Sequence, residues 1–288
     1  MRTPISVIIL TNNEEVNLGH CLESVFQWAQ EIIVVDSYST DATLEIAQRY
    51  GARIVQHPFT TQAEQLNWAL AHVEFHGEWI LRLDADERLT EELKKELQEK
   101  LPETPQEVSG LYIKRRVHFM GRWIRHGGYY PTWLLRIWRK GAARAEERMM
   151  DEHMVLRAGR GEKTKYDFID ENRKDLTFWV NKHNAFASRE AAELLRHEVQ
   201  RLFTGRLMGA SQAERKRWVK EHFYFHLPLF LRALCYFLYR YFIRLGFLDG
   251  KEGLIFHFLQ GFWYRFLVDA KIYERKIQST KLKIQNNG

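Results

Sequence analysis

The sequence predicts an α/β protein with a mixed, mostly parallel central sheet and a helical appendage at its C-terminal end. Three observations predict it. Short β-rich runs alternate with amphipathic stretches through the first part of the chain, the rhythm of βαβ units. Polar clusters directly follow three of those runs, where loops and helix N-termini of a parallel sheet converge on ligands. The last quarter turns aromatic and aliphatic at helical spacing.

Taken in order, Ile5–Leu10 is the first strand, and Glu15–Gln27 reads as a helix through Val16, Leu18, Leu22, Val25 and Phe26. Glu31–Val35 is a strand, Asp41–Tyr50 a helix, Arg53–Gln56 a strand, Thr61–His72 a helix and Trp79–Leu83 a strand. A helix from Thr90 to Leu101 is closed by Pro102 and Pro105, and Leu111–Val117 is strand-like. Phe119–Trp138, rich in Gly, Trp and Arg, is too irregular for one element. Arg139–Arg173 reads as a charged stretch and Asp175–Leu202 as a helix.

A chain of 288 residues can bury the core of one large domain with an appendage. Its hydrophobic fraction of 45% and aromatic fraction of 14% exclude wholesale disorder. The net charge of +6 names no partner. Cys21 and Cys235 stand in no metal-type spacing, which fits a reducing compartment and makes Cys21 a small buried hydrophobe. With no h-region ahead of Ile5, the expectation is a protein that starts and stays in the cytoplasm.

Three clusters carry chemistry: Thr11-Asn12-Asn13-Glu14, Asp36 to Asp41, and Asp84-Ala85-Asp86-Glu87. Two carboxylates flanking one small residue make a compact set of hard oxygen ligands suited to Mg²⁺ or Mn²⁺. Buried beside a sheet, such a pair is costly without a cation; on a surface it is an acidic turn capping a helix. Asp36 can accept hydrogen bonds from a nucleobase imide or a ribose hydroxyl, or cap a turn.

In their order and spacing, SVIILTNNEE, EIIVVDSYSTD and WILRLDADE resemble the family 2 glycosyltransferases with the GT-A fold. The following GRWIRHGGYYP and D-E-H segments resemble the branch that builds lipopolysaccharide core and exopolysaccharides. The resemblance spans roughly Ile5 to Glu190. It implies an inverting, metal-dependent transfer of a sugar from a nucleotide donor, UDP-linked by expectation, to a lipid-linked or lipopolysaccharide-type acceptor. It implies Thr11, Glu14 and Asp36 around the nucleoside, Asn67 near the phosphates, and Asp84 and Asp86 on the diphosphate, directly or through Mg²⁺ or Mn²⁺. Glu152 matches the catalytic base, with Asp151 the near alternative. Tyr38 replaces the usual glycine, Ser37 a frequent second Asp, and Leu66 a frequent Lys or Arg. Alternatives are a polyprenyl-phosphate glycosyltransferase and a non-catalytic saccharide- or RNA-binding protein; nucleic acid is not an expected partner of the enzyme.

On this reading residues 1–200 form the catalytic domain, with a donor half of about 1–105 and an acceptor half of about 106–200, followed by a helical appendage over 201–288. Arg122, Trp123, Arg125 and His126 are candidate acceptor contacts, since aromatic faces stack on sugar rings and guanidinium groups clamp phosphates. His183 is a candidate on a helix. From Phe223 to Phe247 an apolar segment approaches transmembrane length but holds Arg232, Arg240 and Arg244, which fall within an arc of about 120° at helical spacing. That stripe predicts an interfacial helix with arginines level with anionic headgroups, at the cytoplasmic face of a bacterial inner membrane. A helical hairpin packed on the catalytic domain or across a dimer interface is the alternative.

Overall fold

The structure is a computed structural model and describes residues 2–146, 153–200 and 227–286. These fall into two compact units. The first takes the described residues up to Ile124 and from Tyr129 to Lys174. The second takes Arg125–Gly128 and the described residues from Asp175 onward.

The first unit alternates β1 (Thr3–Thr11), α1 (Leu18–Val25), β2 (Ala29–Asp36), α2 (Thr43–Arg49), β3 (Arg53–Gln56), α3 (Gln62–His72) and β4 (Trp79–Asp84). There follow β5 (Glu87–Leu89), α4 (Glu91–Glu103), β6 (Val108–Phe119), β7 (Arg122–Trp123), β8 (Thr132–Arg139), β9 (Ala143–Ala145), β10 (Met154–Leu156) and β11 (Arg160–Glu171). The main sheet runs β3-β2-β1-β4-β8-β6-β11-β5, with β7 on β6. Pairing is parallel from β3 to β4 and between β6 and β11, and antiparallel around β8 and at β5.

Alternation along β1 builds two cores. Ile5, Val7 and Ile9 pack with Leu18 and Leu22 of α1 and Leu93, Leu97 and Leu101 of α4, while Ile8 packs with Ile33, Val35 and Leu66 of α3 on the other face. α3 starts at Thr61, whose side chain accepts from the Glu64 N–H at 3.1 Å, and α4 at Thr90, which accepts from Leu93 at 3.2 Å. The irregular stretch resolves into β7, a cis Tyr130–Pro131 peptide and β8, and the charged stretch contains the twelve-residue β11.

In the second unit α5 (Leu176–Gln200) packs on α8 (Tyr264–Asn286) through Ala187 and Ala191 against Tyr264, Val268 and Ile272. Small residues spaced four apart let the two backbones approach. Between them lie α6 (Leu231–Leu238), continued by a wider turn over Tyr239–Ile243, and α7 (Gly250–His257), continued likewise over Phe258–Trp263. Among the described residues no helix is long and apolar enough to cross a membrane.

Here the structure corrects the expected arginine stripe. Arg232 is buried, its Nε 2.8 Å from Asp269, and Arg240 donates to the Gly127 carbonyl at 2.6 Å while lying over the Tyr236 ring. Arg244 is exposed and lies beside Gly128. A guanidinium with a carboxylate or carbonyl partner inside the unit is better satisfied there than on an apolar face. Two of the three arginines therefore hold the unit together.

Candidate active site

Parallel register brings the C-terminal ends of β2, β1 and β4 side by side, with Thr11 opposite Asp36 and Leu10 opposite Asp84. At the β1–β2 end, fully buried Asp36 accepts from Thr11 Oγ1 at 2.9 Å, Ser39 N at 2.8 Å and Ser39 Oγ at 2.5 Å. Its carboxylate thus fixes the loop after β2. One residue in each adjoining loop holds left-handed backbone: Asn13 after β1 at φ 54°, which suits Asn, and Tyr38 after β2 at φ 56°, in the place where the family's glycine was expected. Tyr38 bears that conformation with a large exposed ring. Ser37 Oγ accepts from Gln65 at 2.6 Å, so this hydroxyl is spent on α3.

Glu14 is half-buried, bonded by Asn17 Nδ2 at 2.7 Å and paired with Lys174 Nζ at 2.9 Å. Lys174 also donates to the Asn13 carbonyl at 2.7 Å, so the segment after β11 is stitched to the loop after β1. Asn67 uses both ends of its amide on Ala145, donating at 3.0 Å and accepting at 2.9 Å, and thereby pins β9 to α3. Leu66 is wholly buried in the core, an apolar environment in which a phosphate-binding cation could not stand.

The Asp84-Ala85-Asp86 carboxylates meet different partners. Asp84 lies 3.2 Å from Arg82 Nη2 and 3.2 Å from Arg136 Nη2. Burial alone would raise its pKa, but Arg82 and Arg136 hold the carboxyl well below the ordinary carboxylate range. Charge burial at Asp84 is therefore answered by arginine. Asp86 is half-buried and accepts from Asn172 Nδ2 at 2.9 Å.

Two further acids complete the cluster. Glu87 is buried against Arg136, and its carboxylate accepts from the Asp84 N–H at 2.9 Å. Burial pushes its pKa well up against the pull of Arg136, with Asp84 and Asp170 adding to the push. Asp170 on β11 stands opposite Glu87 of β5 and 3.3 Å from Arg115. Its pKa is pushed up to about 6, by burial first, with Arg115 opposing and Asp86 and Asp84 adding. Arg136 and Asp170 escaped the sequence reading because β8 and β11 lie far along the chain; the one available signal was an arginine inside the apolar run TWLLRIW. Cys21 is buried with its Sγ 3.6 Å from the Asp84 carbonyl, as expected of a small hydrophobe.

Of the acceptor candidates, Arg122 is exposed on β7 and Trp123 is half-buried, edge-on to Tyr130 at 5.1 Å with the Arg116 guanidinium over its ring at 4.6 Å. Arg125 and His126 belong to the helical unit, where their N–H groups donate to Asp249 at 3.3 and 2.9 Å and His126 Nδ1 lies 2.7 Å from it. Gly127, at φ 66°, presses so closely on His257 that a Cβ would lie 2.0 Å from its ring. His183 stacks on Trp179 at 3.5 Å in the helical unit. Asp151 and Glu152 lie outside the described residues.

A parallel βαβ half whose strand ends gather a buried aspartate loop and an Asp-x-Asp cluster, joined to a mixed half, is a GT-A-like glycosyltransferase fold. Over 95% of this chain and 88% of the other, the structure is similar to that of a Pyrobaculum calidifontis mannosyltransferase in complex with GDP-Man and Mn²⁺, with a TM-score of 0.50 and 15% identity. That likeness shows the fold. Residues 6–166 match the model of glycosyl transferase family 2, and the chain belongs to that family. It is 29% identical over 285 residues to a lipopolysaccharide core biosynthesis glycosyltransferase, LpsC, of Rhizobium meliloti, covering 95% of this chain and 93% of the relative. It is also 37% identical over 94 residues to an uncharacterized glycosyltransferase of Rickettsia typhi, of whose length the match spans 32%.

Proposed function

We propose that the protein is an inverting glycosyltransferase that takes a sugar from a UDP-linked donor, with Mg²⁺ or Mn²⁺, and places it on a lipid-linked saccharide of the lipopolysaccharide core type at the cytoplasmic face of the inner membrane. The observation that carries the reading is the excess of acid at the end of β4. Asp84, Glu87 and Asp170 pair with Arg82, Arg115 and Arg136, Asp86 stands two residues from Asp84, and burial first, with Asp86 and Asp84 adding, pushes Asp170 up to about 6.

A site short of positive charge and built of hard oxygens fits a divalent cation. Among the described residues no three acidic, His or Cys side chains form a complete metal centre, and Mg²⁺ usually takes one or two carboxylates with substrate phosphates. Asp86 would hold the cation, with Asp84 beside it. The cation, when bound, neutralises the charge that develops on the departing diphosphate. Arg82 and Arg136 fix the Asp84 carboxylate, and Arg115 fixes Asp170. Thr11 and Asp36 hold the loop that receives the nucleoside. Glu152, the residue that the family resemblance assigns, takes the proton from the acceptor hydroxyl as that oxygen attacks the anomeric carbon and the bond to the diphosphate oxygen breaks.

A thermal-shift series with UDP-, GDP- and CMP-sugars, each with and without Mn²⁺, tests the donor. A bound donor raises stability by mass action, so UDP-sugars with Mn²⁺ should give the largest shift. Equal shifts without metal, or a preference for another base, would overturn that part of the reading.

A further inference from the structure

The inward turn of Arg232 and Arg240 leaves the outer face of α6 and its continuation almost without charge. Leu234, Leu238, Phe242 and Ile243 recur there at helical spacing, each more than two-fifths exposed, with Ile243 at 71%. A second exposed stripe follows on α7 and its continuation, through Leu254 and Phe258. Of the fifteen exposed residues between Leu231 and Phe258 only Arg244 and Lys251 are charged. Scattered apolar residues on a surface need no explanation, but a monomer seldom exposes a contiguous apolar patch beyond a few hundred Å².

We propose that this face docks on a lipid bilayer by sinking its apolar side chains below the headgroups, and that attraction to anionic lipid is secondary. The charge distribution selects the occupant. An uncharged face matches hydrocarbon, and an anionic surface would find few cations on it. Arg244 and Lys251 have stems long enough to lift their charges to the headgroups. Tyr239 is exposed beside the stripe and carries the apolar ring and polar tip that suit the interface. The segment lies flat. From Leu231 to Ile243 a helix is about 20 Å long, short of the roughly 30 Å hydrocarbon core, and the chain then turns through Leu245 at φ 60° and Gly250 at φ 74°. The surface deepens, and rests on, the reading of a lipid-linked acceptor; its test needs no turnover, so either can fail alone.

Cys235 supplies the probe, because it lies exposed on α6 while Cys21 is buried. The full chain, labelled at Cys235 with an environment-sensitive fluorophore, is mixed with phosphatidylcholine vesicles and with vesicles containing phosphatidylglycerol, at low and high salt. The expected result is a blue shift with both, quenching by brominated acyl chains, and binding that survives high salt. Phe242→Ser with Ile243→Ser should cut vesicle affinity at least tenfold while donor-induced thermal stabilisation persists. Binding only to anionic vesicles with release by salt would overturn the proposal, as would no binding at all. So would a dimer in sedimentation without lipid that the same substitutions dissociate, since the face would then belong to a second copy.

Discussion

Buried charge is handled differently in the two units. Among the described residues of the helical unit each buried acid has basic partners: Asp269 has Arg232, Glu190 has Arg265 at 2.7 Å, and Asp249 has His126 and His257. Burial would raise the Asp249 pKa, yet hydrogen bonds from His257 and His126 bring it below the ordinary value. At the end of β4 the acids outnumber the arginines, and Glu87 and Asp170 are pushed up instead. Balanced burial holds helices together. Unbalanced burial is costly, and a fold retains it where a ligand of opposite sign completes the cluster.

The largest effect should come from breaking the unbalanced cluster at Asp86, which pairs with no arginine among the described residues. Asp86→Ala should lower nucleoside diphosphate release by on the order of 10²–10³-fold or more, the scale of losing one transition-state electrostatic contact. The melting temperature should hardly move, because Asp86 is bonded by Asn172 at a loop and supports no core packing. Unchanged turnover in buffer with a chelator would break the comparison at its root. Arg232→Ala tests the balanced side. With the two side chains 6% and 0% exposed, it strands Asp269 as a buried charge, and a loss of about 3–5 kcal/mol in urea unfolding is expected. Replacing both partners with Met and Leu should recover most of it.

Asp170 sharpens the contrast through pH. Its folded pKa of about 6 lies above the ordinary 3.8, so the folded state binds the proton more tightly than the unfolded chain. Stability contributed by that proton is present in full below about pH 4 and is lost as pH rises through 6. Asp170→Asn should therefore stabilise the metal-free protein above pH 6 and leave it unchanged near pH 4. Mn²⁺ should raise the wild-type melting temperature more at pH 7 than at pH 4.5. A variant that is no more stable than wild type at pH 7 would show that Asp170 bears no such penalty.

What the sequence disclosed follows the range of the interactions. The first four strands and their helices were legible because each is a local period, and Thr11, Asp36 and Asp84 directly follow or end apolar runs. β11 was not. RGEKTKYDFIDE reads only as part of a charged stretch, yet Asp167 meets Lys114 at 3.1 Å and Arg116 at 3.2 Å, and Glu171 meets Arg88 at 2.6 Å. Cross-strand partners some fifty to eighty residues away convert a polar run into a paired strand, and no window of sequence contains them. The same blindness misdirected the arginine stripe: helical spacing gave its common face, but Asp269 and the Gly127 carbonyl turn Arg232 and Arg240 inward and leave only Arg244 exposed. HGGYYP, quoted for its family resemblance, includes the Gly127 that α7 requires to be bare.

The smallest expected effect, and the most local, belongs to His183. Its ring stacks on Trp179, meets Tyr264 edge-on at 5.6 Å, and places Nδ1 2.8 Å from the Trp179 carbonyl. Burial lowers its pKa to about 4 from the ordinary 6.5; the Trp179 carbonyl opposes this and the Lys182 charge adds to it. The folded protein therefore keeps His183 neutral across an interval in which the unfolded chain takes up a proton. Above about pH 6.5 neither state is protonated and the residue contributes no pH dependence. As pH falls from there the unfolded state gains, and stability declines until the folded ring protonates near pH 4. Acidic groups titrate in the lower part of the same interval, so the informative quantity is the difference between proteins. Wild type should lose more of its urea midpoint between pH 7 and pH 5 than His183→Asn does, although the variant starts lower because the stacking is gone. Equal losses would mean that His183 titrates as if in water, and that the aromatic packing around it does not exclude charge. In that case burial in the helical unit would not be balanced everywhere, and the contrast with the β4 cluster would rest on Asp249, Asp269 and Glu190 alone.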